Sequence, residues 1–177
     1  ILESNDDITA TSQILQQPTD VNETKDFVSA IEKMDYNDLS DKDKELMYNT
    51  AKEHIGKTYG DLVNNDRINE IPKHIKIADT EECRKVYEAS GCKYGNNTVG
   101  FYCPRTDEIF VDAPRNGDMT EIMATVEHES LHLASNGGVT EYVFDSNAGR
   151  PSWDLSTNVN EGITEMYAMR DMADMGF

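Results

Sequence analysis

The segment DMTEIMATVEHESLHLASNGG, residues 118–138, limits the fold more than any other stretch of the sequence. Asp118 is followed three residues later by Glu121, which is the form of a capping box with Asp in place of Ser or Thr. This pattern predicts that a helix begins at Asp118. The glycine pair at 137 and 138 is predicted to end it.

Polar and apolar residues separate onto two stripes of this helix. Polar side chains at positions i, i+4, i+7 and i+11 share one stripe: Glu121, Thr125, His128 and His132. Apolar side chains occupy a different stripe, which is predicted to face the core: Ile122, Val126 and Leu133. Both imidazoles are therefore expected to point in the same direction.

The sequence HESLH, residues 128–132, has the spacing of a metal-binding helix. His128 and His132 would supply two ligands, and a catalytic zinc site takes three ligands from protein and leaves a fourth position for water. Glu129 is rotated away from ligation but can reach that water, which makes it the candidate general base. The alternative is a solvated helix face on which Glu129 is only a surface charge.

A third ligand is expected from NEGITE, residues 160–165. Glu161 and Glu165 are four residues apart on one face of a predicted helix, so one can bind the metal while the other holds a ligating imidazole. Three acidic residues of the preceding loop remain alternative ligands: Glu141, Asp145 and Asp154. Imidazole and carboxylate ligands favour zinc, so one Zn²⁺ per chain is the predicted cofactor.

HESLH followed by NEGITE resembles the gluzincin metallopeptidases, the thermolysin-like group of zinc enzymes. The resemblance implies a zincin-like fold with His128, His132 and Glu161 as zinc ligands. It also implies that Glu129 is the base and that Glu165 is the acidic partner behind a ligating histidine.

The sequence departs from related patterns in three places. It ends at Phe177, twelve residues after Glu165, so the large helical subdomain of thermolysin-like enzymes is not expected. The metzincin pattern would require Gly and His where Ser135 and Gly138 stand. The GTxD segment of aspzincins is also missing.

Strand-forming segments precede the HESLH helix. HIKIAD at 74–79, TVGFYC at 98–103 and EIFVDA at 108–113 are rich in β-branched and aromatic residues, and the last two are predicted to form a hairpin. The expected fold class is α+β. The resemblance implies a small mixed sheet with an antiparallel edge strand, an active-site helix and a C-terminal helix that carries the third ligand.

The same resemblance places VGFY, residues 99–102, on the edge strand beside the active site. An extended peptide would add to that strand through main-chain hydrogen bonds, as in other cases of β-strand addition. The candidate substrate-binding residues are Val99, Gly100, Phe101 and Tyr102.

The rest of the chain is assigned to a lead-in and one domain. Residues 1–25 are predicted to be a flexible lead-in or linker, and residues 26–177 a zincin-like domain. Ser40 and Asp43 are predicted to cap a packing helix that contains His54, which we interpret as a structural or surface histidine. Residues 139–159 are expected to form a loop that lines the cleft.

A helix is expected to resume at 159 with an apolar stripe: Ile163, Met166, Tyr167, Met169 and Met172. Three residues are candidate oxyanion donors, of which Tyr142 is preferred: Tyr142, Arg150 and Tyr167. Cys92 and Cys103 bracket a predicted turn and strand, so they either form a disulfide or are ordinary thiols.

The charge of the chain limits its partners. Lys and Arg number 16 and Asp and Glu 34, which gives a net charge of −18 and argues against binding to nucleic acid or to anionic membranes. A basic protein or peptide substrate is compatible with this charge, and solubility alone is the alternative explanation of the charge. No stretch has the roughly 18 apolar residues of a membrane span. A chain that starts at Ile1 is either a mature processed protein or an excised segment, and both alternatives stay open. We expect a secreted or translocated protein, and we expect a monomer.

These features predict a zinc-dependent endopeptidase, with narrow-specificity secreted or effector proteases as one form. The alternative is a catalytically inactive, zinc-stabilised module that binds or inhibits another protein.

Overall fold

The computed structural model describes residues 27–60, 65–89, 91, 93–103, 106–135 and 153–177, with the backbone alone for 153–160. The architecture is α+β, as predicted, with helices packed around a small mixed sheet. The predicted lead-in, residues 1–25, and the loop residues 139–152 lie outside the described residues. Within the part that is described, no helix combines the length and the apolar character needed to traverse a bilayer.

The described helices and strands follow one another in this order: α1 at 27–31, α2 at Asp41–Tyr59, α3 at Asn65–His74, β1 at Ile75–Ala78, α4 at Thr80–Ala89, β2 at Gly100–Cys103, β3 at Glu108–Asp112, α5 at Met119–Ala134 and α6 at Trp153–Met175.

The three described strands form one sheet in the order β1–β3–β2. β1 runs parallel to β3, with Ile75 opposite Ile109, and the chain between them contains helix α4 and strand β2. β2 is antiparallel to β3 and lies at the edge of the sheet, with Phe101 opposite Phe110. The prediction of a mixed sheet with an antiparallel edge strand is therefore confirmed.

Capping residues set the starts of the two helices that were predicted from them. At α2, the Asp43 N–H donates to Ser40 Oγ over 3.2 Å and the Ser40 N–H donates to Asp43 Oδ2 over 3.0 Å, which completes the predicted box. At α5, the Glu121 N–H donates to Asp118 Oδ1 over 2.9 Å, but the Glu121 carboxylate accepts from the Gly117 N–H instead of the Asp118 N–H. The predicted box at Asp118 is thus only half formed.

Helix α5 lies at the centre of the core. Its predicted apolar stripe of Ile122, Val126 and Leu133 is fully buried. The apolar residues packed around it come from α2, α3 and the sheet and include Met47, Ile55, Ile71, Ile109 and Val111. The helix ends at Ala134, three residues before the predicted stop, because Ser135 already has non-helical geometry with ψ near 9°.

Helix α6 differs from its prediction in where it begins and in which of its residues face the core. It begins at Trp153, so the second part of the predicted loop 139–159 is helical. Met166 and Met169 are 59% and 56% exposed, which contradicts their assignment to the core stripe. The inward face consists of Thr164, Ala168, Asp171, Met172 and Met175. Because this face includes the polar residues Thr164 and Asp171, the hydrophobic pattern did not predict it.

Candidate metal centre

Helices α5 and α6 pack together and bring four polar side chains to one place. His128 Nε2 lies 3.1 Å from Glu161 Oε2, and His132 Nε2 lies 3.4 Å from the same oxygen. The two Nε2 atoms are 3.1 Å apart. Two nitrogens and one carboxylate oxygen therefore form a nearly equilateral triangle, with His128 and His132 from one helix and Glu161 from the other.

This triangle has the dimensions of one face of a zinc coordination tetrahedron. Ligands about 2.0–2.2 Å from a tetrahedral zinc ion lie roughly 3.3–3.5 Å from one another. The three measured separations of 3.1, 3.1 and 3.4 Å agree with this spacing within a few tenths of an ångström. The donor set and its spacing fit a zinc ion bound by three protein ligands, and the described residues offer no fourth at this cluster.

Glu165 holds one of the histidines from behind. Its Oε2 lies 3.0 Å from His128 Nδ1. With a metal ion bound at Nε2, the His128 proton would lie on Nδ1 and would be donated to the Glu165 carboxylate. A carboxylate behind a ligating histidine fixes the tautomer and the ring orientation in this way.

The charges of the cluster support one another. Hydrogen bonds from His128 and His132 hold the pKa of the Glu161 carboxyl well below its usual range. Burial opposes the charge on His128, but the hydrogen bond to Glu161 and the nearby carboxylates of Glu129 and Glu165 raise its pKa above the ordinary value. A divalent ion would replace the proton that these acids otherwise retain on His128, so metal binding here releases protons.

Glu129 lies next to the triangle but does not belong to it. Its side chain is only 8% exposed, and burial raises its pKa to about 7 against the opposing influence of His128 and His132. The carboxylate accepts a hydrogen bond from the backbone of Tyr102 in β2. Glu129 is therefore held between the histidines and the edge strand.

A cavity of about 960 Å³ opens in front of these residues. Its walls include all of the sequence-predicted substrate residues that the edge strand carries: Val99, Gly100, Phe101 and Tyr102. His128, Glu129, Glu161 and Glu165 line it from the helix side. Val99 is 38% exposed, whereas Phe101 turns to the opposite face and stacks on Phe110 with ring centroids 5.4 Å apart.

The outer edge of β2 has main-chain groups that point toward this cavity. The Asp112 N–H donates to Val99 O over 2.8 Å, so by the alternation of an antiparallel ladder residues 99, 101 and 103 bond to β3. The main-chain groups of Gly100 and Tyr102 then face outward, and the Tyr102 N–H is already used by Glu129. Among the described residues, β2 pairs with β3 alone.

Gly100 allows α5 to lie directly on β2. A Cβ at this position would be 2.4 Å from Thr125 Cγ2 and 3.3 Å from Glu129 Cγ. A side chain at this position would require Thr125 to change its rotamer or α5 to move. The sequence signal was a glycine inside a strand, which marks a close approach of another part of the chain, and the predictions had not used it.

Several sequence-predicted site residues fall where the structure gives no side chains. Tyr142, Arg150, Glu141 and Asp145 lie outside the described residues, as does Cys92 of the possible disulfide, and only the backbone of Asp154 is described. Tyr167 is described, but it packs edge-to-face on Tyr59 with centroids 5.4 Å apart and does not line the cavity. It is therefore not placed as an oxyanion donor.

A second group of polar residues lies on the other side of α5, and the sequence analysis missed it. His54 Nδ1 is 3.4 Å from Glu127 Oε1, a residue 73 positions later in the chain. His54 was interpreted as a structural or surface histidine, and its partner Glu127 could not be read from spacing because it comes from another helix.

The protein is therefore an α+β fold with a His–His–Glu cluster at the wall of an acidic cleft. A scan against protein-family models, a search of curated proteins and a search of solved structures each found no match. The function proposed below rests on the contacts of the described residues.

Proposed function

We propose that the protein is a zinc-dependent endopeptidase with a zincin-like fold, similar to the gluzincins. The observation that carries the proposal is the triangle of His128 Nε2, His132 Nε2 and Glu161 Oε2, with Glu129 buried beside it. On a polar helix face that binds no metal, two histidine nitrogens are not expected to lie beside the same carboxylate oxygen of another helix. Here His128 and His132 of α5 both lie beside Glu161 Oε2 of α6. The acidic partner Glu165 behind His128 is the second part of the same arrangement.

Each residue has a separate role in this proposal. His128, His132 and Glu161 would hold the zinc ion, which when bound lowers the pKa of a water to about 7 and polarises a carbonyl. The Glu129 carboxylate takes a proton from the attacking water and passes it to the leaving amine. A pKa of about 7, raised by burial, suits a group that must accept and return a proton near neutral pH.

The substrate is proposed to lie extended along β2. Main-chain groups of Gly100 would pair with the peptide, since they point away from β3. The cavity is lined by the carboxylates of Glu121, Glu161 and Glu165, and the whole chain carries a charge of −18. Basic side chains near the cleaved bond should therefore be favoured over acidic ones.

Replacement of Glu129 by Gln tests the mechanism. The change keeps the shape of the side chain and removes the base, so peptide hydrolysis should fall by about 100- to 10,000-fold. Zinc binding should not change, because Glu129 lies outside the ligand triangle. Intact proteomes provide the substrates and N-terminal mapping detects the cuts. Glu53→Gln, an exposed change on α2, is the matched control.

Two outcomes would contradict the proposal. Full activity in Glu129→Gln would remove this residue from the mechanism. A zinc-loaded wild type that yields no new N-termini in any proteome would support the alternative of a zinc-stabilised binding or inhibitory module.

A further inference from the structure

Four ionisable side chains from three helices meet behind α5, away from the candidate metal centre. They are His54 of α2, Glu127 of α5, and Asp171 and Asp174 of α6. His54 Nδ1 lies 3.4 Å from Glu127 Oε1 and 3.9 Å from Asp171 Oδ2. One ligand atom each from His54, Asp171 and Asp174 lies within 4.8 Å of the other two.

Two of these carboxyl groups are completely buried and incompletely bonded. Glu127 and Asp171 each have 0% exposure. Glu127 Oε2 and Asp171 Oδ2 have no hydrogen-bond donor in the part of the chain that the structure describes. The other oxygen of Asp171 accepts from the Tyr59 hydroxyl over 2.6 Å. Buried carboxylate oxygens without a donor are costly and call for a compensating charge.

The positive charge near the cluster is insufficient for its acids. Among the described residues, His54 is the one basic side chain that lies within 4.0 Å of both buried carboxyls. Arg170 Nη2 donates to the Tyr59 hydroxyl, and its Nε stays 4.0 Å from Asp171 Oδ1.

We propose that His54, Glu127, Asp171 and Asp174 form a second divalent-cation site, separate from the His128–His132–Glu161 centre. The 3.4 Å between His54 Nδ1 and Glu127 Oε1 is close to the roughly 3.3–3.5 Å between ligands of a tetrahedral zinc ion. An imidazole nitrogen with carboxylate oxygens selects zinc or a similar transition metal over calcium or magnesium.

An ion at this site would serve structure. It would join α2, α5 and α6 at a point where two of its ligands are inaccessible to solvent. Asp171 lies on the same helix as Glu161 and Glu165, so the ion would fix α6 against α5 and keep those glutamates over the histidines. The site does not depend on the proposed peptidase activity.

Zinc counting in the full chain tests the proposal. Metal-stripped protein is reloaded with zinc, passed over a desalting column and weighed by native mass spectrometry. The wild type should retain two zinc ions. His54→Gln and Asp171→Asn should each retain one, and His132→Gln should also retain one, because it removes the other centre. His74→Gln, a histidine outside both clusters, should retain two.

A second measurement covers the case in which a buried substitution prevents folding. Asp174 is exposed, so Asp174→Asn should fold normally and weaken zinc binding at the second site by at least about tenfold. In the His132→Gln background, zinc at 100 times its dissociation constant should raise the melting temperature by about 5–10 °C. Asp174→Asn should reduce this shift.

The result that overturns the proposal is distinct from failure of the peptidase hypothesis. One zinc ion in the wild type, lost in His132→Gln and kept in Asp174→Asn and Glu127→Gln, would remove the second site and leave the first intact. Two zinc ions without peptidase activity would support the second site and contradict the proposed function.

Discussion

Replacement of Gly100 by Ala tests the contact that holds helix α5 on the edge strand β2. The new Cβ would lie 2.4 Å from Thr125 Cγ2, whereas carbon atoms in contact are normally about 3.5–4.0 Å apart. Thr125 cannot easily rotate away. Its hydroxyl donates to Asn116 Oδ1 over 2.6 Å, and β-branched side chains in helices have few rotamers.

The overlap exceeds 1 Å, so α5 must move or Thr125 must leave its rotamer. Overpacking of this kind costs about 1–3 kcal/mol in free energy of unfolding. For a domain of this size each kcal/mol lowers the melting temperature by about 2–4 °C, so the loss should be about 2–12 °C. Glu129, which the new Cβ would also crowd at 3.3 Å, should lose its position, and peptide hydrolysis should fall with it.

A double-mutant cycle separates this contact from a general intolerance of alanine. Thr125→Ser removes the methyl group that clashes and keeps the hydroxyl that bonds to Asn116. Combined with Gly100→Ala, it should recover at least about 1 kcal/mol relative to the sum of the single changes. Urea unfolding of the four proteins gives the free energies. Strictly additive effects, or a Gly100→Ala protein as stable as the wild type, would refute the reasoning.

Two further predictions concern side chains around the site. Glu165→Gln should weaken zinc binding by about 10- to 100-fold in a chelator competition assay, because the second carboxylate no longer orients His128; an unchanged affinity would contradict this role. The guanidinium of Arg67 lowers the pKa of Asp107 to about 2, so this carboxylate stabilises the fold above about pH 4 and loses that effect as the pH falls through about 2. Asp107→Asn should therefore melt below the wild type at pH 7, with a difference that shrinks between pH 4 and pH 2; a constant difference would argue against the ion pair.

Local signals in the sequence were sufficient for much of the scaffold. The Ser40 cap, the apolar face of α5 and the β2–β3 hairpin depend on neighbours within a few residues, and each appears in the structure. Periodicity alone also predicted that His128 and His132 would project together.

Other features depend on contacts that residue spacing does not report. Met166 and Met169 are apolar yet exposed, because the buried face of α6 includes the polar residues Thr164 and Asp171. The hydrophobic pattern was wrong for Met166 and Met169 for this reason, whereas Met172 of the predicted stripe is buried and Tyr167 packs against the core. His54 meets Glu127 only after α2 packs beside α5, so no local rule could pair them. Gly100 carried a usable signal, but its meaning required knowledge of the helix above it.

Three consecutive residues of α5 lie in three different surroundings. Glu127 lies in the buried cluster, His128 in the candidate metal centre and Glu129 beside the edge strand. An α-helix turns by about 100° per residue. A single inserted or deleted residue between the Asp118 cap and Glu127 would therefore rotate the rest of the helix by about 100°. Each of the three side chains would then occupy the position of an adjacent one. Relatives of this chain should vary freely in the identity of exposed residues along that stretch, while its length stays fixed.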